Sequence, residues 1–500
     1  MTDQLLPELI LVLDAGTTST RAIAFSGSGE IVASAGRAMT QYYPASGWVE
    51  HDAAEIWALS RACLDDVAAQ VGAQRIAAIG ITNQRETVCF WDRTTGEPLA
   101  RAIVWQDRRT ADYCAELKAA DPGLEGRVQA RTGLLLDPYF SATKMRWALD
   151  NWPTVADAAR TSRLAVGTVE SWLIFKLSGG ATHITDATNA SRTLLMDLAT
   201  CAWDDDLIAL FGIPAAALPA IVDCASDPRG ALAETTLLGR TIPITGAAGD
   251  QQAAAIGQAC LSPGMLKATY GTGCFLLAHA GAEPPVSQGR LLATVAWRLG
   301  GVPAYALEGA IFVAGSAIQW LRDGLGIIAS SAESEELAQS VPDNGGVSFV
   351  PALAGLGAPY WAPDARGVIC GLSGGTTRAH IVRAALEAQG QQTADLVDAL
   401  AADGVAAAML RVDGGMVAND WLCQDLADSL GVVVERPRVI ETTAMGAAML
   451  AGVGAGMFAD LAAAAAAMAA ADVRFHPATD GAARAARRVQ WQAAIAKVLA

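Results

Sequence analysis

An aspartate that closes an apolar strand and opens a helical run is well placed to take a proton from a substrate hydroxyl, and Ala248-Gly249-Asp250-Gln251 puts Asp250 in that position. The same letters suit a helix N-cap, in which the carboxylate does no chemistry. A second carboxylate, Asp14, ends the apolar run in LVLDAGTTSTR and is followed, after Ala15, by Gly16, Thr17, Thr18, Ser19 and Thr20. Backbone N–H groups and hydroxyls crowded into one turn make an anion nest for phosphate oxygens, and Asp14 beside it can hold Mg²⁺ through water. A solvated hairpin whose hydroxyls bond their own backbone fits equally well. A second such turn, ATYGTGC at residues 268–274, shifts the balance toward phosphate. Two phosphate-type turns, one per half, predict a nucleotide clamped between two related domains.

The elements that must carry these groups follow from hydropathy. Residues 9–13, 21–25 and 31–35 read as short antiparallel strands joined by Gly/Thr/Ser turns, which disfavours a Rossmann opening. Residues 53–71 have helical periodicity, and residues 76–81 (IAAIGI) read as a fully apolar strand that runs into the polar loop TNQRET. Ligands of open α/β sheets lie beyond such strand ends. Arg85 and Glu86 sit on that loop. On most loops such neighbours are a solvated pair. They can line one pocket only if the backbone breaks after Ile81, because adjacent side chains on a regular strand face opposite ways. A helix is expected at 141–151. Strand, turn and helix are expected in TIPITGAAGDQQAAAIG, opening a second strand set near Ile242, and strand–turn–strand in GMLKATYGTGCFLLAHAG. The expected domains are 1–247 and 248–500. Residues 442–459 carry no charge but hold four glycines between Glu441 and Asp460, which suits a buried helix pair better than a membrane span. The alanine-rich run 461–471 is expected to be helical.

Five hundred residues at 52% hydrophobic and 17% charged content support two large domains, not a disordered chain. A formal charge of −16 argues against coating nucleic acid or an anionic membrane, so an anionic ligand must be held by local amides, a few arginines or a metal ion. Nine scattered cysteines, never spaced CxxC, fit reduced thiols and no structural metal, and the N-terminus lacks the marks of a signal peptide; a cytoplasmic protein with no integral membrane segment is expected.

The stretches SGWVEHD (46–52), GITNQRET (80–87), IVWQDRRT (103–110), DPYFSATK (137–144), TDATNASRT (185–193), AGDQQAA (248–254), TYGTGCF (269–275), GLGAPYW (355–361) and RVDGGMVAND (411–420) occur in order along nearly the whole chain. In these the sequence resembles the glycerol kinases of the FGGY carbohydrate kinase family. The resemblance implies an α/β fold of two ribonuclease-H-like domains, of the actin, hexokinase and heat-shock ATPase type, with a cleft between them. It implies ATP and Mg²⁺ as cofactors and transfer of the γ-phosphoryl group to glycerol, giving sn-glycerol 3-phosphate. By resemblance Asp250 is the general base. Arg85, Glu86, Tyr139, Asp250 and Gln251 hydrogen-bond the polyol, while Trp105 and Phe275 pack its carbon edge. The nucleotide falls to Thr17, Thr18, Ser19, Arg21, Thr272, Gly315, Gln319, Gly415 and Asn419, and the metal to Asp14 and Asp250. A dimer or tetramer is implied as well. The rival substrate is another short polyol or triose, such as erythritol or dihydroxyacetone.

No GxxxxGK[ST] and no HRD…DFG set is present, which excludes P-loop and protein kinases. Gly371-Leu372-Ser373-Gly374-Gly375 satisfies GxSxG and raises a serine hydrolase with His380 or His476 as base, a short motif that recurs by chance. Two departures stand out. Ala15 takes a place that is often glutamine, and Leu237-Leu238-Gly239-Arg240-Thr241 differs from the Gly-Thr-Arg loop that binds fructose 1,6-bisphosphate in regulated members. No histidine lies between His183 and His279 to serve as a phosphorylation switch.

Overall fold

The computed structural model describes residues 8–228 and 230–500. Two large twisted sheets organise the chain. The first contains β1 (Leu9–Ala15), β2 (Ser19–Phe25), β3 (Ile31–Ala38), β4 (Ile76–Asn83), β5 (Ala233–Leu237) and β6 (Arg240–Gly249), in the order β5-β6-β4-β1-β2-β3. The second contains β7 (Met265–Tyr270), β8 (Cys274–Gly281), β9 (Leu292–Leu299), β10 (Val302–Ile311), β11 (Met409–Asp413), β12 (Val433–Pro437) and β13 (Ala471–Phe475), in the order β9-β10-β8-β7-β11-β12-β13. In each sheet three neighbouring antiparallel strands, β1-β2-β3 or β7-β8-β10, are extended by two strands parallel to the first, β4 and β6 or β11 and β12. The weak duplication of the two turns is therefore a duplication of whole sheets, as the ribonuclease-H-like expectation requires.

The helices that position the site are α1 (Ala53–Val71), α2 (Ser141–Asn151), α3 (Ala187–Ala190), α4 (Asp250–Gly257), α5 (Gly315–Gln319), α6 (Arg378–Ala402), α7 (Asp420–Leu430), α8 (Thr442–Gly454) and α9 (Leu461–Met468). Strand β1 is apolar at both parities because it is covered on both faces. Leu9, Leu11 and Leu13 join the core with Ile56, Leu64 and Val67 of α1. Ile10 and Val12 instead meet Ala447, Met449 and Leu450 of α8 and Leu461 and Ala464 of α9. Late sequence thus covers the first sheet. Gly446 makes this approach possible: a Cβ there would stand 1.8 Å from the Ala253 carbonyl oxygen of α4. The second core packs Leu266, Leu276 and Leu307 beneath Leu396 and Leu400 of α6 and Leu422 and Leu426 of α7.

Helices α1 and α2 have the expected limits. Other boundaries move. Strands β1 and β4 extend to Ala15 and Asn83, so the break that frees Arg85 and Glu86 falls after Asn83, not Ile81. The strand through Ile242 pairs with β4 in the first sheet, and the second strand set opens at Met265. No turn separates β6 from α4, and residues 247 and 248 both lie inside β6. The uncharged stretch 442–459 yields one buried helix, α8, rather than a pair. Helix α9 stops at Met468 because Ala471 opens β13, which pairs with β12. Among the described residues no helix is long and apolar enough to cross a membrane, and all nine cysteines are free.

Candidate active site

Parallel pairing sets Asp14, Thr82 and Ala248 level across the first sheet, with Ala15, Asn83 and Gly249 one residue further. Asp14 and Asp250 therefore leave the same strand-end edge, their strands separated by β4, which corresponds to about 10 Å between the flanking backbones. Asp250 is the first residue of α4, and Gly249 occupies the N-cap. The carboxylate is thus not the cap; its Oδ1 accepts the Gln251 N–H at 2.7 Å and lies 3.3 Å from the Arg85 Nε. Burial raises the Asp250 carboxyl to about 6, opposed by Arg85 and Lys267 and reinforced by Glu86. A group balanced there is a base at neutral pH that can still hold a proton.

Arg85 and Glu86 are buried, not solvated. The loop that carries them is fixed by Gln84, whose N–H bonds the Ala15 carbonyl and whose Nε2 bonds the Gly16 carbonyl at 2.9 Å. Lys144 of α2 adds bonds to the carbonyls of Tyr139 (2.5 Å) and Glu86 (3.3 Å), and burial lowers its ammonium to about 8. Arg85 reaches the Tyr139 hydroxyl at 3.5 Å and the Glu308 carboxylate of β10 at 2.5 Å. Gln251 accepts from the buried Lys267 of β7 at 2.6 Å. Trp105 stands edge-on to Tyr139 at 5.7 Å and to Phe275 at 6.3 Å, and its indole N–H donates to the Thr17 hydroxyl at 2.9 Å. The seven residues expected to meet the polyol are joined by this web of contacts, with Phe275 supplied by the second sheet.

The turn between β1 and β2 is closed by the Gly16 N–H on the Ser19 carbonyl. Its hydroxyls do not all serve the turn, since Thr17 is taken by Trp105 and Thr20 bonds Ser60. Arg21 pairs with Asp14 at 2.7 Å and with Glu441, just before α8, at 2.8 Å. Asp14 is therefore not a free carboxylate, and burial raises its pKa despite Arg21.

The second turn is similarly anchored. The Thr272 carbonyl accepts the Ala314 and Ser316 N–H groups, and the Gly315 N–H bonds the Gly271 carbonyl, which seats α5 on the turn. Thr269 pairs with Asp413, and Gly414 follows with φ +95°; a Cβ there would come within 2.4 Å of the Tyr270 carbonyl oxygen. Gly415 is exposed beside it with open space around its Cα. Asn419 caps α7 through its Oδ1, which accepts the Leu422 N–H. Thr272 and Gln319 are exposed.

Sequence reasoning overlooked Arg192, Lys267 and Glu308, each surrounded by apolar or small neighbours that disguise a buried charge. The hydrolase alternative finds no support in the geometry. Ser373 is exposed, and His380 caps α6 by bonding Thr377. Arg240, in the loop that departs from the bisphosphate-binding pattern, reaches the Ala73 carbonyl.

Residues 9–257 match the N-terminal domain of the FGGY family of carbohydrate kinases and residues 266–455 its C-terminal domain. The chain belongs to this family. It is 58% identical to a glycerol kinase of Rhodospirillum rubrum over 457 residues, covering 90% of this chain and 91% of that one. It is 55% identical to glycerol kinase 1 of Pseudomonas aeruginosa, with 90% and 91% covered. Among solved structures, a Plasmodium falciparum glycerol kinase with ADP superposes with a TM-score of 0.93 at 36% identity, covering 98% of each chain. A xylulose kinase from Rhodospirillum rubrum superposes at 0.86 with 27% identity, again over 98% of each.

Proposed function

We propose that this protein phosphorylates glycerol with ATP, giving sn-glycerol 3-phosphate and ADP. The observation that carries the reading is Asp250, at the shared edge of the first sheet, within 3.3 Å of Arg85. The similarity to glycerol kinases supports glycerol over erythritol or dihydroxyacetone. Arg85, Glu86, Tyr139 and Gln251 offer donors and acceptors for hydroxyls, and Trp105 and Phe275 offer an apolar wall for the carbon edge, a combination that suits a small triol.

The terminal hydroxyl of glycerol gives its proton to Asp250 as its oxygen bonds the γ-phosphorus and the bond to the β-phosphate oxygen breaks, leaving ADP. The nucleotide spans the two turns. Thr17, Thr18, Ser19 and Arg21 take the phosphate side, and Thr272, Gly315, Gln319, Gly415 and Asn419 the second, where Gly415 lets a flat base approach the backbone. The donor set fits Mg²⁺, which keeps several waters and needs only one or two carboxylates; Asp14 and Asp250 at one edge meet that need. Held by these two carboxylates, Mg²⁺ would supply positive charge to offset that of the phosphates. Arg21, pulled between Asp14 and Glu441, holds the Asp14 carboxylate in place.

The two domains divide close to the start of α4, with α8 and α9 returned to the first. The free thiols suit a cytoplasmic enzyme, and the family resemblance suits a homo-oligomer. A panel with ATP and Mg²⁺ tests the assignment: ADP forms rapidly with glycerol and much more slowly with dihydroxyacetone and erythritol. Equal rates on erythritol overturn it.

A further inference from the structure

Beneath the pocket lies a closed cycle of buried charges. Arg85 meets Glu308 at 2.5 Å and Glu86 at 3.7 Å, while Arg192, just past α3, meets Glu86 at 2.8 Å and Glu308 at 3.0 Å. All four side chains are at most 2% exposed. Each guanidinium touches both carboxylates, so the ring is neutral and none of its charges is left unpaired in the interior. Three members come from the first half, and Glu308 comes from β10 of the second. Strand alternation delivers it: Leu307 lies in the second core and a Cβ on Gly309 would meet Leu396, so the intervening side chain faces the first half.

We propose that Glu308 and Arg192 are positioning residues for glycerol: Glu308 draws the Arg85 guanidinium away from Asp250 and, through Arg192, fixes Glu86, so that the pair faces the polyol and the base stays unlocked. The geometry favours this because Arg85 makes its 2.5 Å contact with Glu308 and only a 3.3 Å contact with Asp250. Remove the Glu308 charge, and Asp250 becomes the accessible anionic partner of Arg85. Burial works to raise the Glu308 carboxyl, but Arg192 and Arg85 outweigh it and hold the group at about 2, so Glu308 stays charged across the working pH range. The inference rests on the polyol-binding role proposed above for Arg85 and Glu86.

The test is steady-state kinetics of full-length Glu308→Gln and Arg192→Lys, with thermal midpoints measured alongside. Lysine keeps the charge of Arg192 but cannot bridge two carboxylates. The expected result is a KM for glycerol raised at least tenfold, a KM for ATP within about twofold of wild type, and partial recovery in Glu308→Asp. The double variant is expected to cost little more than either single one, because both act through one ring. A folded variant with a wild-type glycerol KM, or one whose ATP KM rises in parallel, overturns the proposal. Should Glu308→Gln not fold, Arg192→Lys decides by the same two constants. Wild-type protein that makes no ADP with glycerol sinks the functional assignment instead, whatever the variants do.

Discussion

At the scale of single residues, the proposed function turns on a carboxylate whose environment is balanced. Asp250 is desolvated enough to reach about 6 and opposed by Arg85 and Lys267. Asp250→Asn keeps size and hydrogen bonding but removes the proton acceptor. The expected outcome is a kcat lowered by about 10²–10⁴, with glycerol affinity, read by calorimetry, changed far less. A near-normal rate removes Asp250 from the mechanism. The same balance fixes the sign of the pH response. A base must be ionised, so kcat/KM for glycerol should be flat above about pH 7 and fall about tenfold per unit below about 6. An acid limb near 4 would mean that the burial seen here does not act on the working base.

At the scale of elements, the site depends on helices that lie closer to strands and to each other than ordinary side chains allow. Helix α8 touches α4 at Gly446 and strand β4 at Gly80, where a Cβ would stand 2.4 Å from the Ala447 carbonyl oxygen. Because α4 begins with Asp250, displacing α8 pushes on the proposed base. Gly446→Ala should destabilise by about 1–3 kcal/mol or more, the cost of overpacking, and lower kcat more than the KM for ATP. Chemical denaturation together with initial rates measures both. An unchanged midpoint would show that the helices separate without strain.

At the scale of the molecule, the residues proposed to contact glycerol come from both halves: Arg85 and Trp105 from the first, Phe275 from β8 of the second, with Glu308 and Lys267 behind. Saturating glycerol should therefore stabilise the chain as one unit. At a hundred times Kd the gain is about 2.7 kcal/mol, seen as one calorimetric transition moving upward. Two transitions, only one of which shifts, would contradict a shared pocket. With a net charge of −16, the proposed reaction calls for a counter-cation to admit ATP. Chelation with EDTA should abolish ADP formation, and excess Mg²⁺ should restore it.

The sequence by itself determined the strands whose apolar runs cannot be water-exposed, both glycine-rich turns, helices α1 and α2, and the candidates Asp250, Arg85 and Glu86, because local periodicity and motif spacing are written in consecutive letters. It determined Asp14 as well, though not that Arg21 and Glu441 would hold it. Only the tertiary structure decided that β6 joins the first sheet beside β4, that α8 crosses back to cover it, and that Asn419 caps a helix. It alone revealed the Arg85–Glu308–Arg192–Glu86 ring, whose members are up to 223 residues apart. A buried charge needs a partner of opposite charge or a set of hydrogen bonds, and which partner arrives depends on how two sheets meet. No local pattern encodes that meeting.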